Sequence, residues 1–311
     1  VLGAAAARQF QCIVAHTLAR VEIVAGGDNH EVAGRRQGEF NHGVAVARAV
    51  VILDQHFFGF QFNQAQVRVQ TARASHSDLH TVALGDGVGD DPLPRCGGEN
   101  RVDGALGSRG AAMIEPYSDD PENRGLAFYT QEELTGQAHK ANYMGFQVAI
   151  HAIGDLGNRM SLDAFDAIQG GKPSRLRNRI EHAQIITLDD IPRFKDLGII
   201  AAMQATHATS DMNMAEDRVG PDRILGGYAW RRLLDAGVVL ANGSDFPVEL
   251  ANPWHGLYAS ITRKSREGLP EGGWYADQAL TRGEALHSFT LANAYAAHQE
   301  KYLGSLEAGK W

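Results

Sequence analysis

Three times in the second half of this chain a helix-like stretch ends in a glycine, at Gly145, Gly198 and Gly237, and a short apolar run follows at once before giving way to polar residues. A glycine in that place supplies the left-handed residue that closes a helix. A short apolar run without alternation reads as a strand buried on both faces, the habit of parallel sheets. The repeat therefore predicts alternating strand and helix in an α/β fold, with a parallel sheet that is either doubly wound or closed as a β/α barrel. In both architectures ligands sit at the C-terminal ends of the strands, so the polar residues after each run should converge.

The individual elements can be placed on this pattern. Thr130 with Glu133 three residues on is a capping box for a helix over about 131–144, and Phe146 to Ile150 is the strand after it. Apolar residues at helical spacing run through "NRMSLDAFDAIQGG", "NRIEHAQII" is the next strand, and Thr187 caps the helix in "LDDIPRFKDLG". "IIAAMQATH" and "VVLANGSDF" are the later strands, separated by a helix towards the end of "DRILGGYAWRRLLDAG".

What lies at the strand ends is His151 with Asp155, Glu181 with His182, Gln204 with His207, and Asp245 after Gly243 and Ser244. A single histidine at such an end is more often a hydrogen-bonded structural residue. Two histidines and an aspartate from three strands, His151, His182 and Asp245, instead suit a divalent metal such as zinc. Zinc lowers the pKa of a bound water to about 7, which is hydrolysis chemistry. Two positions stay open: His207 between a substrate contact and a plain loop histidine, and Asp155 between orienting a ligating imidazole and capping the following helix. His139, His255, His287 and His298 fall in helix-like stretches away from any strand exit, and surface or packing roles are expected of them.

Composition narrows the remaining classes. A formal charge of −8 and a pI near 5.9 leave no basic footprint for nucleic acid or for an anionic membrane surface. Cys12 and Cys96 form no Cys-x-x-Cys pair, so neither a thiolate zinc site nor a disulfide framework is indicated. The run "GVAVARAVVIL" is too short to span a bilayer and "VLGAAAARQF" lacks the charged start of a signal peptide, so a soluble, cytoplasmic protein is expected. Residues 1–100 hold no Lys, Met, Trp or Tyr, whereas the rest holds 6 Met, 4 Trp and 8 Tyr. Residues 1–98 are accordingly left unassigned, either as a separate domain of unusual composition or as an out-of-frame stretch joined at about residues 95–102. Residues 99–311 carry the β/α pattern.

Several segments in order, "DGALGSRGAAMIEPYSD" (103–119), "HAIGD" (151–155), "IEHAQ" (180–184), "GSDFPVE" (243–249) and "LTRGEALHSFTLANAYAA" (280–297), closely resemble amidohydrolase family 3 of the metal-dependent amidohydrolase superfamily, which includes N-substituted formamide deformylases. The likeness covers roughly residues 100 to 311. It implies the C-terminal portion of a (β/α)8 TIM-type metal-dependent hydrolase barrel, strands four or five to eight, acting on amide-like C–N bonds of a small molecule. The positions matching His151 and His182 are metal ligands in that family, and the one matching Asp245 touches the metal and handles protons. Two departures stand out: no His-x-His occurs anywhere in the chain, and Glu99 stands where a lysine is common.

On this reading His151 and His182 hold one or two zinc ions, and Asp245 serves as general base and then delivers the proton to the leaving nitrogen. Asp103, Arg109 and His207 are the substrate-binding candidates, although Arg109 could equally pair with an acid and fix its loop. A competing expectation is a catalytically incompetent barrel fragment whose unpaired edge strands favour association into homo-oligomers. A doubly wound binding domain is disfavoured by the lack of a Gly-x-Gly-x-x-Gly after a strand.

Overall fold

In the computed structural model, residues 100–311 are described throughout, together with the backbone of residues 95–99 and of four short strands before them. The contacts divide the chain into two units, Val1–Val82 and Ala83–Trp311. In the first, β1 (Val21–Val24), β2 (Ala49–Leu53), β3 (His56–Gly59) and β4 (Gln66–Val69) form a sheet in the order β1-β4-β2-β3. β2 and β4 lie in the stretches "VAVARAVVIL" and "AQVRVQTA". Cys12 and most of the compositionally unusual stretch lie outside the described residues.

The second unit runs β5 (Arg95–Arg101), α1 (Gln131–Tyr143), β6 (Phe146–Ala152), α2 (Asp155–Gln169), β7 (Arg179–His182), α3 (Ile191–Asp196) and β8 (Ile200–Met203). It continues with α4 (Ala205–Asp211), α5 (Ala215–Arg223), α6 (Trp230–Asp235), β9 (Leu240–Asn242), α7 (Pro253–Thr262), α8 (Arg282–Phe289) and α9 (Leu291–Ala296). The strands β5-β6-β7-β8-β9 pair in chain order and every pair is parallel. An order that advances without reversal is that of a β/α barrel wall, whereas a doubly wound sheet would turn back at a switch point.

Local chemistry explains why the chain breaks where it does. Gly145, Gly198 and Gly237 all adopt left-handed φ, at 82°, 65° and 80°, and each releases the chain into the strand that follows. The capping box at α1 forms as expected: Glu133 N–H donates to Thr130 Oγ1 at 3.3 Å, and Thr130 N–H to Glu133 Oε2 at 2.9 Å. At Thr187 the expectation is corrected. Its hydroxyl donates to Asp190 Oδ2 at 2.8 Å, so it accepts no backbone N–H, and a 3-10 turn at Leu188–Asp190 precedes α3. The strands in "NRIEHAQII" and "IIAAMQATH" are shorter than their apolar runs, because the chain turns left-handed at His182 and Ala183 and α4 starts at Ala205.

The core lies between sheet and helices, with Ile150 and Ile180 from the strands meeting Phe165, Phe194, Leu233 and Trp230 from the helices. The C-terminal helices are stitched to the far end of the sheet. Arg177 forks onto Glu300 at 2.7 and 3.0 Å and donates to Tyr295 O, and Gln147 Nε2 donates to Ala296 O at 2.8 Å. No helix among the described residues is long and apolar enough to cross a membrane.

A second ion pair fixes α8. Arg231 of α6 grips the carboxylate of Glu284, which also closes the capping box with Thr281. The Arg231 guanidinium beside it, with Thr281's backbone and hydroxyl, holds the Glu284 carboxyl down at about 2, against an ordinary 4.5. A carboxyl depressed in the fold adds stability that is present above its unfolded pKa and is lost as pH falls from about 4.5 towards 2. Arg231→Met is therefore expected to flatten the acid limb of the stability curve over that window, read by urea midpoints at successive pH values.

Candidate active site

The site begins with a carboxylate that has no solvent exposure. Asp103 follows β5, and its two oxygens accept from Ala112 N at 3.0 Å, Ile153 N at 3.0 Å and Gly154 N at 2.8 Å. It thereby ties the exit of β5 to the exit of β6. The same carboxylate stands 3.4 Å from His151 Nδ1, in a geometry that makes no hydrogen bond, and that nitrogen is buried without a partner.

The "HAIGD" segment is shaped by how closely the backbones approach. A Cβ on Gly154 would lie 2.0 Å from Ala112 O, and one on Gly157 would lie 2.6 Å from Asp103 Oδ2. Asp155 opens α2 while Gly154 takes the cap position, and its Oδ1 accepts from Ile114 N at 2.8 Å and Leu156 N at 2.9 Å. Its carboxylate thus anchors the loop after β5; burial raises its pKa. One helical turn on, the Asn158 amide donates to Gly154 O at 2.9 Å and Ile185 O at 3.1 Å, joining the exits of β6 and β7.

Three imidazoles gather at these exits. His151 and His182 stand edge to face with centroids 4.5 Å apart, and His207 stacks on His182 at 5.7 Å. Burial, then the neighbouring His151 imidazole, holds His182 below the usual imidazole range, while the Asp245 carboxylate pulls the other way. Burial, aided by His182, pushes His207 down to about 4. Both rings are neutral at pH 7 and keep a lone pair on one nitrogen. Gln204 Oε1 accepts from His182 Nδ1 at 2.7 Å, which leaves Nε2 of that ring as the free electron-pair donor. His207 Nε2 is buried and unpartnered.

Asp245 follows β9 on an exposed turn. It shares with His182 and Ala183 a left-handed backbone, at φ 53°, 73° and 45° respectively. Each such non-glycine residue costs on the order of 1–3 kcal/mol, and such residues cluster at functional sites. The donor chemistry fits a divalent cation, since neutral imidazoles, one with a buried orphan nitrogen, are what such an ion binds. No group of three or more His, Cys, Asp or Glu among the described residues stands together as a complete cage.

The other sequence candidates are placed as follows. Arg109 adopts φ 55° and forks onto Asp119 at 3.0 and 2.9 Å, a carboxylate that Arg218 also grips, so its guanidinium is engaged in holding the loop. Asp103 is wholly buried and acts on backbone and on His151. Glu181 pairs with Arg179, and its charge acts on His182 without a hydrogen bond between them. Sequence reasoning did not single out the network in which Tyr228 Oη and Gln184 Nε2 both donate to Asp211 Oδ2, at 2.7 and 3.0 Å. Gln184, two residues past His182, and Asp211, one turn past His207, carried the available signal.

The amidohydrolase family profile matches residues 59–311, starting ahead of the motifs. Protein LONG AFTER FAR-RED 3 of Arabidopsis thaliana is 36% identical over 67% of this chain and 36% of its own length. The putative amidohydrolase YtcJ of Bacillus subtilis (strain 168) is 34% identical over 67% of this chain and 39% of its own. N-substituted formamide deformylase of Arthrobacter pascens is 30% identical over 60% and 34%. The chain thus spans a little over a third of the length of these relatives. Among solved structures, uncharacterized metal-dependent hydrolases of Pyrococcus furiosus and Pyrococcus horikoshii OT3 align with TM-scores of 0.60 and 0.61, at 32% and 35% identity. Each alignment covers 69% of this chain and 42% of the neighbour.

The contact between Gly154 and Ala112 yields a direct expectation. Gly154→Ala should destabilise the unit by about 1–3 kcal/mol, the usual range for forced overpacking, measured as a shift in urea midpoint at unchanged slope.

Proposed function

This chain belongs to the amidohydrolase family, and from that premise we propose that it is a metal-dependent hydrolase acting on an amide-like carbon–nitrogen bond of a small molecule. The carrying observation is the pair of imidazoles, His151 and His182, edge to face at 4.5 Å on the exits of adjacent parallel strands. The names of the relatives support the reading, a formamide deformylase and metal-dependent hydrolases among them. His151 and His182 would hold one or two divalent ions, zinc being the best match to imidazole donors. When bound, such an ion supplies Lewis acidity and a water whose pKa lies near 7.

The remaining steps belong to the chain's own residues. Asp245 takes up the proton released as water oxygen bonds to the carbonyl carbon. It then delivers that proton to the nitrogen as the C–N bond breaks, yielding an acid and an amine. Gln204 holds His182 in the tautomer that keeps Nε2 free, and Asp103 holds the loop against which His151 rests. His207, neutral and with Nε2 unpartnered, is the substrate contact. Arg109, engaged by Asp119, shapes the rim.

A second reading is favoured by one observation, that the described residues assemble no group of three metal donors. On that reading the chain is a catalytically incompetent barrel portion. Elemental analysis of monodisperse protein separates the two: about one or two zinc per chain is expected for the enzyme, and none for the fragment. Asp245→Asn is expected to lower turnover of amide substrates by about 10²–10⁴-fold with the thermal transition unchanged. Retention of most activity would remove Asp245 from its role.

A further inference from the structure

A cavity of about 220 Å³ lies between α4, which carries His207, the turn after Asp245, α7 and residues 264–267. It is smaller than the roughly 300–1,000 Å³ of sites that enclose a whole ligand, so it suits one arm of a substrate. Two of its walls belong to the segments that carry His207 and Asp245. Thr206 precedes His207 on α4, and Ser210 donates at 2.6 Å to Glu249, four residues beyond Asp245.

The hydrogen-bonding inventory of the lining is lopsided. Its acceptors are supplied: Glu249 receives the Ser210 hydroxyl, and Ser265 Oγ receives the Glu267 N–H at 3.3 Å. The Thr209 hydroxyl is likewise spent, on Thr206 O at 3.0 Å. The Glu267 carboxylate is held by the Ser265 hydroxyl and lies beside Arg266, whereas the His255 ring and the Tyr258 hydroxyl, also in the lining, have no hydrogen-bond partner among the described residues. Two further donors are left unsupplied. Thr206 is only 8% exposed and its Oγ1 has no partner. Lys264 is half-buried, and no carboxylate of the described residues stands within ion-pairing distance of its ammonium. A buried hydroxyl left unpaired costs about 1–3 kcal/mol, which a ligand acceptor would recover.

We propose that this cavity receives a carboxylate arm of the substrate, bound by Lys264 Nζ and Thr206 Oγ1. The substrates are then amides that carry a free carboxylate, with the scissile bond directed at the imidazoles. This assignment rests on the hydrolase reading for the identity of the ligand, but the binding it describes can be measured without turnover.

The test is calorimetric titration of the full chain with N-acetylglycine, its neutral counterpart N-acetylglycinamide, and inorganic phosphate. The carboxylate probe is expected to bind at least about ten-fold more tightly than the neutral one and more tightly than phosphate. Lys264→Gln should abolish that preference, Thr206→Val should reduce it, and Lys264→Arg should keep it. Equal binding of the two acetylglycine probes, a preference for phosphate, or a preference that survives both Lys264→Gln and Thr206→Val overturns the proposal. Carboxylate-selective binding without acetate release from any amide would uphold the subsite and count against the hydrolase. Hydrolysis that is indifferent to substrate charge would do the reverse.

Discussion

The buried carboxylate of Asp103 is the interaction on which the site's geometry depends. It accepts three backbone N–H groups, one from a segment 9 residues further on and two from a segment 50 and 51 residues further on, and it does so with no exposure to water. A carboxylate removed from solvent must find such donors or be expelled, so the exits of β5 and β6 have one workable arrangement. That arrangement sets where His151 stands and forces Ala112 O so near to Gly154 that no side chain fits there. Asp155 and Asn158 extend the same principle to the loop at Ile114 and to the exit of β7. The strand exits that carry His151 and His182 are thus held by backbone polar groups bonded to buried side chains.

Much of this was legible in the sequence because its signals are local. The three closing glycines and the capping box at Thr130 depend on neighbours within a turn, and the structure contains them as read. The gathering of His151, His182 and His207 followed from the rule that parallel strands end on one side. What escaped was non-local. Nothing in the spacing shows that Asp103 would face His151, and although pairing of Arg109 with an acid is one of its two readings, the spacing does not single out Asp119 as that acid. Thr187 misled because a hydroxyl can donate as well as accept, and the choice was made by Asp190.

The site combines neutral donors with an uneven backbone. His182, Ala183 and Asp245 all sit in a left-handed conformation that side chains disfavour, and two of them are the candidate site residues of their strand exits. Such strain persists only where surrounding bonds over-determine it. Here Gln204 fixes the His182 ring, while the fully buried Ala183 is locked by its packing. Asp245, by contrast, stands on an exposed turn, open to solvent as the proton-transfer role proposed for it requires.

The stitches from Arg177 to Glu300 and from Gln147 to Ala296 have a consequence for how the molecule is made. They span 123 and 149 residues of chain, and every strand pairing between them is parallel and therefore also distant in sequence. Closing such long loops costs entropy before any contact repays it, which slows assembly. During synthesis the sheet around β6 and β7 must wait, partly open at one end, until residue 300 has left the ribosome. The segment from Tyr295 to Glu300 therefore acts as a clasp on this end of the sheet, closed only after the strands it holds have been made.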